Sequence, residues 1–206
     1  MTTPDKTQLE RIKKRDLLLE SSLELFRSRG YHNTRIEDIV NHAKVGKGTF
    51  YLYFKNKEEV VSILLESFIN EVIAILDWVE NSISGNASPT EVFTAEGMQL
   101  TELFYKRKNL ARFLFREIGS INDEIYQKLR VHYKDLIQRI ERTYELGLKL
   151  GIVKDVDPKY AAWSIMGSIL FIYQLWLEDE IQDTPDQIME KILEFYLGAL
   201  NINKTQ

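Results

Sequence analysis

The chain of 206 residues has no cysteine and little proline or glycine, 4 and 10 residues respectively. Without cysteine it can form no disulfide scaffold, thiolate metal site or thiol nucleophile. Strand-like alternation is nearly absent as well, and we find no internal repeat. The remaining composition, 44% hydrophobic and 28% charged residues, is that of a globular protein able to bury a sizeable core. These features predict an all-α protein without thiol chemistry.

Long hydrophobic runs are also scarce. The longest, Tyr160–Leu177, contains Ser164, Ser168 and Gln174 and is followed by three acidic residues. A membrane-spanning helix needs about 20 predominantly apolar residues, so we interpret this run as a buried helix of a soluble protein. The N-terminal segment has no apolar stretch typical of a secretion signal. We therefore expect a cytoplasmic protein.

Charge is distributed unevenly along the chain. Residues 1–57 carry a net charge of +5 and residues 58–206 a net charge of −9, which gives −4 overall. A basic head on an acidic body indicates that only the head binds an anionic polymer.

Helix signals run from end to end and predict about nine helices. Gly30 is a C-terminal stop, and the segment Thr34–Glu37 has the pattern of a capping box in which the Thr34 hydroxyl accepts from a first-turn amide. A loop around residues 84–87 is the best candidate for a break in the second half. Three later helices begin with a polar cap followed by proline at the first helical position, namely at Ser88-Pro89, Asp157-Pro158 and Thr184-Pro185.

The basic head contains the pattern of a helix-turn-helix. A short helix is followed by a three-residue turn, Ala43–Val45, and by a second short helix from Gly46 to about Tyr53. In that helix Phe50 and Phe54 lie four residues apart and should pack inward. Gly48 is unfavourable in a helix by about 0.8–1.0 kcal/mol relative to alanine, which indicates that the backbone approaches another molecule closely. The second helix is expected to enter the major groove of DNA.

The outward-facing side chains of the second helix suit contacts with DNA. Lys47 can donate to guanine and Thr49 can meet a thymine methyl group, so we expect these two residues to read bases. Tyr51, Tyr53 and Lys57 are better suited to phosphate contacts, which position a protein without reading sequence.

The head resembles the DNA-binding domain of the tetracycline-repressor (TetR) family over about residues 15–60. The resemblance is carried by Leu18–Phe26, Gly30-Tyr31, Thr34, Glu37–Ile39 and Val45–Glu58. It implies a homodimeric repressor whose helical C-terminal domain binds a small ligand and then releases operator DNA. It also implies a DNA-binding domain over residues 1–56, an effector-binding and dimerisation domain over 57–206, and DNA contacts by Lys47, Gly48, Thr49, Tyr51, Tyr53 and Lys57, with Thr34 and Arg35 at the N-terminus of the preceding helix.

The second domain has a candidate ligand pocket. One face of its first full helix carries Phe93, Glu96, Leu100 and Phe104, and a carboxylate within an aromatic stripe is unusual. Glu96 either anchors a ligand in an apolar pocket or pairs with an arginine such as Arg112 or Arg116. The predicted pocket is completed by Phe113, Glu117, His132 and Tyr133. Two carboxylates near aromatic walls favour a lipophilic cation slightly over a fatty acyl chain, whose own negative charge they would repel.

The last two helices are apolar on more than one side. One apolar stripe is enough for a helix that covers a core, so the second stripe predicts a symmetric dimer interface. The residues expected there are Ile165, Ile172, Trp176, Ile188, Ile192 and Phe195.

An enzyme is the weaker hypothesis. A di-iron bundle requires Glu-x-x-His pairs, and none of the three histidines has a glutamate three residues earlier. No phosphate-binding glycine motif occurs either, so we expect no catalytic residue, metal or cofactor. The alternative to a ligand-responsive regulator is a helix-turn-helix adaptor whose C-terminal domain binds a protein. An activator, or a regulator without an effector, also remains possible.

Overall fold

The computed structural model describes residues 5–84 and 88–199, and within these residues the chain forms nine helices and no strand. The predicted all-α architecture is thereby confirmed. The predicted loop around 84–87 falls largely outside the described residues. The helices are α1 (Lys6–Arg29), α2 (Ile36–His42), α3 (Lys47–Tyr51), α4 (Lys57–Ser84), α5 (Pro89–Lys106), α6 (Lys108–Ile121), α7 (Asp123–Lys149), α8 (Pro158–Leu177) and α9 (Pro185–Ala199).

The helices form two compact units. The first consists of Met1–Ser67 with Arg112–Lys128, and the second of Phe68–Ala111 with Leu129–Gln206. Helices α4, α6 and α7 therefore each contribute residues to both units, which a single cut in the sequence cannot describe. The boundary at 56/57 remains a prediction.

Local signals determine where several helices begin and end. Gly30 ends α1 with a positive φ of 84°, a conformation that glycine adopts without steric cost. Proline occupies the first helical position of α5, α8 and α9, as predicted. At α8 the Asp157 carboxylate accepts hydrogen bonds from the backbone N–H groups of Lys159, at 3.0 Å, and Tyr160, at 3.2 Å.

The predicted capping role of Thr34 is wrong. The Thr34 side chain is buried, and its hydroxyl donates to the carbonyl oxygens of Gly30, at 2.8 Å, and Leu25, at 3.3 Å. Arg35 is the N-cap residue of α2 instead, and the Asp38 carboxylate accepts from the Arg35 backbone N–H at 2.9 Å. The hydroxyl of Thr34 thus binds the end of the preceding helix rather than the start of the next one.

In the second unit, α9 packs closely against α5. A Cβ atom placed on Gly97 would come within 2.7 Å of Met189 Cγ, so the absence of a side chain permits this approach. Further along α5, the ring of Phe104 stacks on that of the fully buried Tyr173, with centroids 4.1 Å apart. Phe93 packs against a small buried cluster formed by Val79, Ile83 and Val92.

Candidate nucleic-acid interface and ligand site

The helix-turn-helix is built on a buried aromatic core. Phe50 and Phe54 are 0% and 1% exposed, with ring centroids 5.4 Å apart, which confirms that they pack inward. Ile39 and Val40 of α2 are buried as well. The second helix, α3, is shorter than predicted, because only Lys47–Tyr51 is helical. The inward packing fixes which side chains of α3 remain outside.

The outer surface of α3 is largely free of intramolecular packing. Lys47, Gly48 and Tyr51 are exposed, whereas Thr49 and Tyr53 are half-buried. A Cβ atom on Gly48 would meet no atom within 4 Å beyond its chain neighbours and the adjacent backbone of α3. Packing within the described chain therefore does not require glycine here, and this fits the expectation that another molecule approaches the backbone.

Lys47 forms an ion pair with Glu37 of α2, and about half of each side chain is exposed. The hydrogen bond from the Lys47 ammonium lowers the pKa of Glu37, and the Glu37 carboxylate raises the pKa of Lys47. The exposed Arg35 lies at the start of the same helix as Glu37. Sequence reasoning missed Glu37, although its place in the first turn of α2 was visible.

Lys57 lies in a different environment from the one expected of a phosphate contact. Its ammonium donates to the carbonyl oxygens of Tyr31, at 2.9 Å, and Thr34, at 2.6 Å, and lies 4.3 Å from the centroid of the Tyr31 ring. Partial burial lowers the pKa of Lys57. With its donors directed at the loop between α1 and α2, Lys57 has a structural role. Together with the buried Thr34, it leaves the set of candidate DNA contacts.

Glu117 and Phe113 of α6 belong to the first unit and not to a pocket in the second. The Glu117 carboxylate accepts from the backbone N–H of Tyr31 at 2.7 Å. The Phe113 ring stacks on Phe26 of α1, with centroids 5.4 Å apart. The prediction that these two residues line a ligand pocket is corrected accordingly. The sequence gives no signal for the Glu117 contact, because its partner lies 86 residues away.

The second unit contains a carboxylate without a partner. Glu96 of α5 forms no hydrogen bond or ion pair with the described part of the chain, so the predicted pairing with Arg112 or Arg116 is not found there. Burial raises the pKa of Glu96 to about 7. Tyr144 lies close enough that burial and the charge of Glu96 together raise the pKa of this phenol.

Tyr144, the neighbour of Glu96, is linked to hydroxyl groups on two other helices. Tyr196 of α9 adds to the raised pKa of Tyr144 on α7, and the Tyr196 hydroxyl lies 2.8 Å from that of Ser168 on α8. A partly buried carboxyl group near a phenol, without a partner in the described chain, is the kind of polar group that a ligand can satisfy.

The other predicted pocket residues lie in the second unit. Leu100 and Phe104 are buried, while Phe93, His132 and Tyr133 are half-buried, and burial raises the pKa of Tyr133. A groove of about 700 Å³ lies along a different face of α5, and no predicted pocket residue lines it. Its lining residues are Ala95, Met98, Gln99, Thr101, Glu102, Tyr105, Lys106 and Asp186.

The apolar faces of α8 and α9 are only partly used within the chain. Trp176, Ile188 and Ile192 are buried, so they form core rather than the predicted interface. Ile165 and Ile172 are half-buried, and Phe195 is 68% exposed. The most exposed aromatic residues of the two helices are Tyr160, Trp163, Phe171 and Phe195.

Helix α8 is less buried than its apolar sequence predicts. Within the described residues it is the one helix long and apolar enough to cross a membrane, with a mean hydropathy of 1.3 over its most apolar stretch. Only 28% of that stretch is buried within the chain. Such a helix is weak evidence for a membrane span, because a helix that packs in the core of a soluble protein passes the same test.

Comparison with known proteins agrees with this arrangement. Residues 18–62 match the family described as "Bacterial regulatory proteins, tetR family". Residues 86–200 match the family described as "Tetracyclin repressor-like, C-terminal domain".

Similar proteins extend over nearly the whole chain. The fatty acid metabolism regulator protein of Bacillus subtilis is 24% identical over 89% of this chain and 94% of its own length. A TetR-family regulator from Syntrophomonas wolfei is 28% identical in its crystal structure, with a TM-score of 0.76 over 95% of this chain and 99% of its own.

A second similar structure contains a ligand. The regulator FadR of Bacillus subtilis, in complex with stearoyl-CoA, has the same fold at 24% identity, with a TM-score of 0.71 over 87% of this chain and 96% of its own. These proteins are transcriptional regulators rather than enzymes, and members of their family are typically homodimeric repressors that respond to ligands. With both of its domains matched, the chain belongs to the TetR family of DNA-binding transcriptional regulators.

Proposed function

We propose that the protein is a homodimeric repressor in the cytoplasm that binds a palindromic operator and is released from it by a lipophilic small molecule. The observation that carries the proposal is the outer surface of α3, where Lys47, Gly48 and Tyr51 are exposed above a fully buried Phe50. Exposed donors and an open glycine on a short helix suit entry into the major groove.

The DNA contacts we propose after the structural corrections are Arg35, Lys47, Gly48, Thr49, Tyr51 and Tyr53. Sites selected from random double-stranded DNA by the purified protein should contain a dyad, because a two-fold dimer binds two half-sites. Affinity for such a site should fall steeply with salt concentration. Footprints without a dyad, or a uniform affinity for every sequence, would contradict the proposal.

The proposed dimer interface is the exposed face of α8 and α9. Phe171 and Phe195 are more than half exposed, and Gly167 and Gly198 have open space where a Cβ atom would lie. Large apolar side chains beside small residues allow helices of two copies to pack closely.

An interface variant tests this assignment. Phe195→Asp should convert a dimer into a monomer in sedimentation experiments and weaken operator binding by at least tenfold, because one head then binds one half-site. Ile192→Val is the matched control: it alters the buried side of the same helix and should leave a dimer. A dimeric Phe195→Asp protein would place the interface elsewhere.

We infer the effector class from the surroundings of Glu96. The expectation of a lipophilic cation depended on two carboxylates, and Glu117 is now assigned to the N–H group of Tyr31. Because its pKa is near 7, Glu96 is partly protonated at neutral pH and can donate to a carbonyl oxygen. An acyl chain is therefore compatible with the site, and a similar regulator binds stearoyl-CoA. On these grounds we favour a long-chain acyl compound as effector.

A binding experiment separates the two ligand classes. Stearoyl-CoA should raise the melting temperature and release DNA, whereas tetraphenylphosphonium should do neither. Affinity for stearoyl-CoA should fall between pH 6 and pH 8 as Glu96 ionises, and Glu96→Gln should remove this pH dependence. Stabilisation by the cation alone, increasing with pH, would restore the original expectation. If neither ligand class binds, an adaptor that recognises a protein becomes the better description.

The route from ligand to DNA runs along helices shared by both units. Residues 108–111 of α6 belong to the second unit, and its remainder belongs to the first, where Glu117 holds the backbone of Tyr31. We propose that a ligand-induced shift of α6 moves the loop between α1 and α2, which contains Tyr31. Movement of this loop would then change the position of α2. Coupling of about 1–3 kcal/mol is enough for 5- to 150-fold release. Glu117→Ala should bind stearoyl-CoA normally but release DNA less than the parent does, and unchanged release would exclude this route.

A further inference from the structure

The contact between α2 and α3 brings together a carboxylate and an ammonium group on the DNA-facing surface. Glu37 lies in the first turn of α2, and Lys47 is the first residue of α3. Their side chains form an ion pair and are 54% and 53% exposed, so both remain accessible to another molecule. Of these two residues, the sequence predicted a base-reading role only for Lys47.

The position of this pair is fixed by the helices that carry it. The backbone N–H of Val45 donates to the carbonyl oxygen of Val40 at 2.9 Å, which closes the turn between α2 and α3. Behind the turn, Ile39 and Phe50 are completely buried. The backbone that carries the two charged side chains is therefore held in place by the packing of α2 against α3.

The donor and acceptor of this pair match the major-groove edge of one kind of base pair. In G·C, guanine presents O6 and N7 as acceptors, and cytosine presents its N4 amino group as a donor beside them. A lysine ammonium can donate to guanine, and a glutamate can accept from cytosine N4. An A·T pair presents an amino group and a carbonyl as well, but lacks the two adjacent acceptors that favour lysine.

A carboxylate beside DNA also carries a general cost. Glu37 repels phosphate groups and so lowers affinity for every sequence. It further engages the Lys47 ammonium, which would otherwise be free to contact phosphates without selectivity. An acidic residue at this position therefore lowers affinity for DNA in general but can increase discrimination between base pairs.

We propose that Glu37 and Lys47 act as one unit that reads a G·C base pair in each half-site, with Glu37 accepting from cytosine N4 and Lys47 donating to guanine. This inference rests on the proposed DNA-binding surface of α3 and adds Glu37 as a specificity-determining residue. Glu37 has no place in the structural core, because its side chain is exposed and its partner is Lys47.

The test compares base preferences of the full-length protein and its variants on randomised DNA. The parent should select G·C at one position of each half-site. Glu37→Gln and Lys47→Met should each reduce discrimination at that same position by about tenfold, within the range known for base contacts. The double variant should lose no more than the single variants do, because the two residues act on the same base pair.

A matched control is available on α1. Glu24 forms a surface ion pair with Arg27 and is 45% exposed, so Glu24→Gln removes a comparable charge away from α3. This variant should keep the parental base preference. Circular dichroism should show that all variants keep the parental helix content.

Two results would overturn the inference while leaving DNA binding intact. The first is an unchanged base preference of Glu37→Gln at every position. The second is an equal gain in affinity for all sequences without any change in preference, which would show that Glu37 only repels phosphate. A parent protein that binds no DNA sequence would instead overturn the proposed function itself.

Discussion

The two compact units differ in the partners of their buried and half-buried polar side chains. In the first, Thr34, Lys57 and Glu117 all bind backbone groups of residues 25–34, at distances between 2.6 and 3.3 Å. In the second, Glu96 is left without a partner in the described chain and its pKa rises to about 7. A surface that reads DNA needs fixed geometry, whereas a ligand site gains from a polar group that a ligand can satisfy. Four substitutions test this difference, and they follow in order of expected effect.

Lys57→Met should have the largest effect. It removes two hydrogen bonds from a charged donor, and a buried bond of this kind is worth about 1.5–3 kcal/mol. Because Lys57 is only partly buried, we expect the lower part of the summed range, a fall of about 2–3 kcal/mol in the free energy of unfolding. Denaturant unfolding measures this loss. The slope of log operator affinity against log salt concentration should equal that of the parent protein, because Lys57 binds backbone carbonyl groups and not a DNA phosphate. A slope reduced by about 0.9 would instead restore Lys57 as a phosphate contact.

Glu117→Ala should lower the free energy of unfolding by about 2 kcal/mol. The change leaves the N–H group of Tyr31 without its charged acceptor. Hydrogen exchange should show the Tyr31 amide losing protection more than amides in α8 do. As a control, Glu24→Ala removes a surface ion pair on α1 and should cost less than about 1 kcal/mol. Equal losses of unfolding free energy in the two variants would mean that the hydrogen bond to Tyr31 stabilises the protein no more than a surface ion pair does.

Glu96→Gln should raise the free energy of unfolding, whereas the two preceding substitutions should lower it. In the native protein the pKa of Glu96 is about 7, against an ordinary value of 4.5, so the unfolded chain loses this proton first as pH rises. Stability of the parent therefore falls between pH 4.5 and pH 7, and a glutamine that cannot ionise removes that loss.

We expect Glu96→Gln to gain about 1 kcal/mol at pH 8 and almost nothing at pH 4.5, a magnitude reduced because the residue is only partly buried. Melting temperatures across this range provide the measurement. Glu102→Gln, an exposed change on the same helix, should show no such trend. A gain that does not depend on pH would contradict a raised pKa for Glu96.

Gly48→Ala should have the smallest effect on folding. Because nothing lies within 4 Å of the added methyl group, alanine should raise the free energy of unfolding by about 0.5–1 kcal/mol through its better helix propensity. Operator affinity should nevertheless fall, since the methyl group would meet DNA. A variant that is more stable and binds DNA as tightly as the parent would argue against close backbone approach at this position.

Patterns between near neighbours in the sequence predicted local structure well. The proline starts of α5, α8 and α9 and the stop at Gly30 follow from backbone sterics and unsatisfied N–H groups within one helical turn. The inward packing of Phe50 and Phe54 follows from the helical period. Such features depend on residues three or four positions apart, and the sequence contains all the information they need.

The roles of the polar residues depend on contacts between distant segments of the chain. Lys57 was expected on DNA and Glu117 in a pocket, but their partners lie 26 and 86 residues away. The apolar rows of α8 and α9 were equally ambiguous, because burial of Trp176 and exposure of Phe195 depend on which side of each helix meets a neighbour. Composition and periodicity therefore predicted that the chain is helical, and local signals predicted where several of its helices start, but not the cap of α2. The choice of partner for each charge and each apolar face depends on the packing of distant segments, which no local pattern encodes.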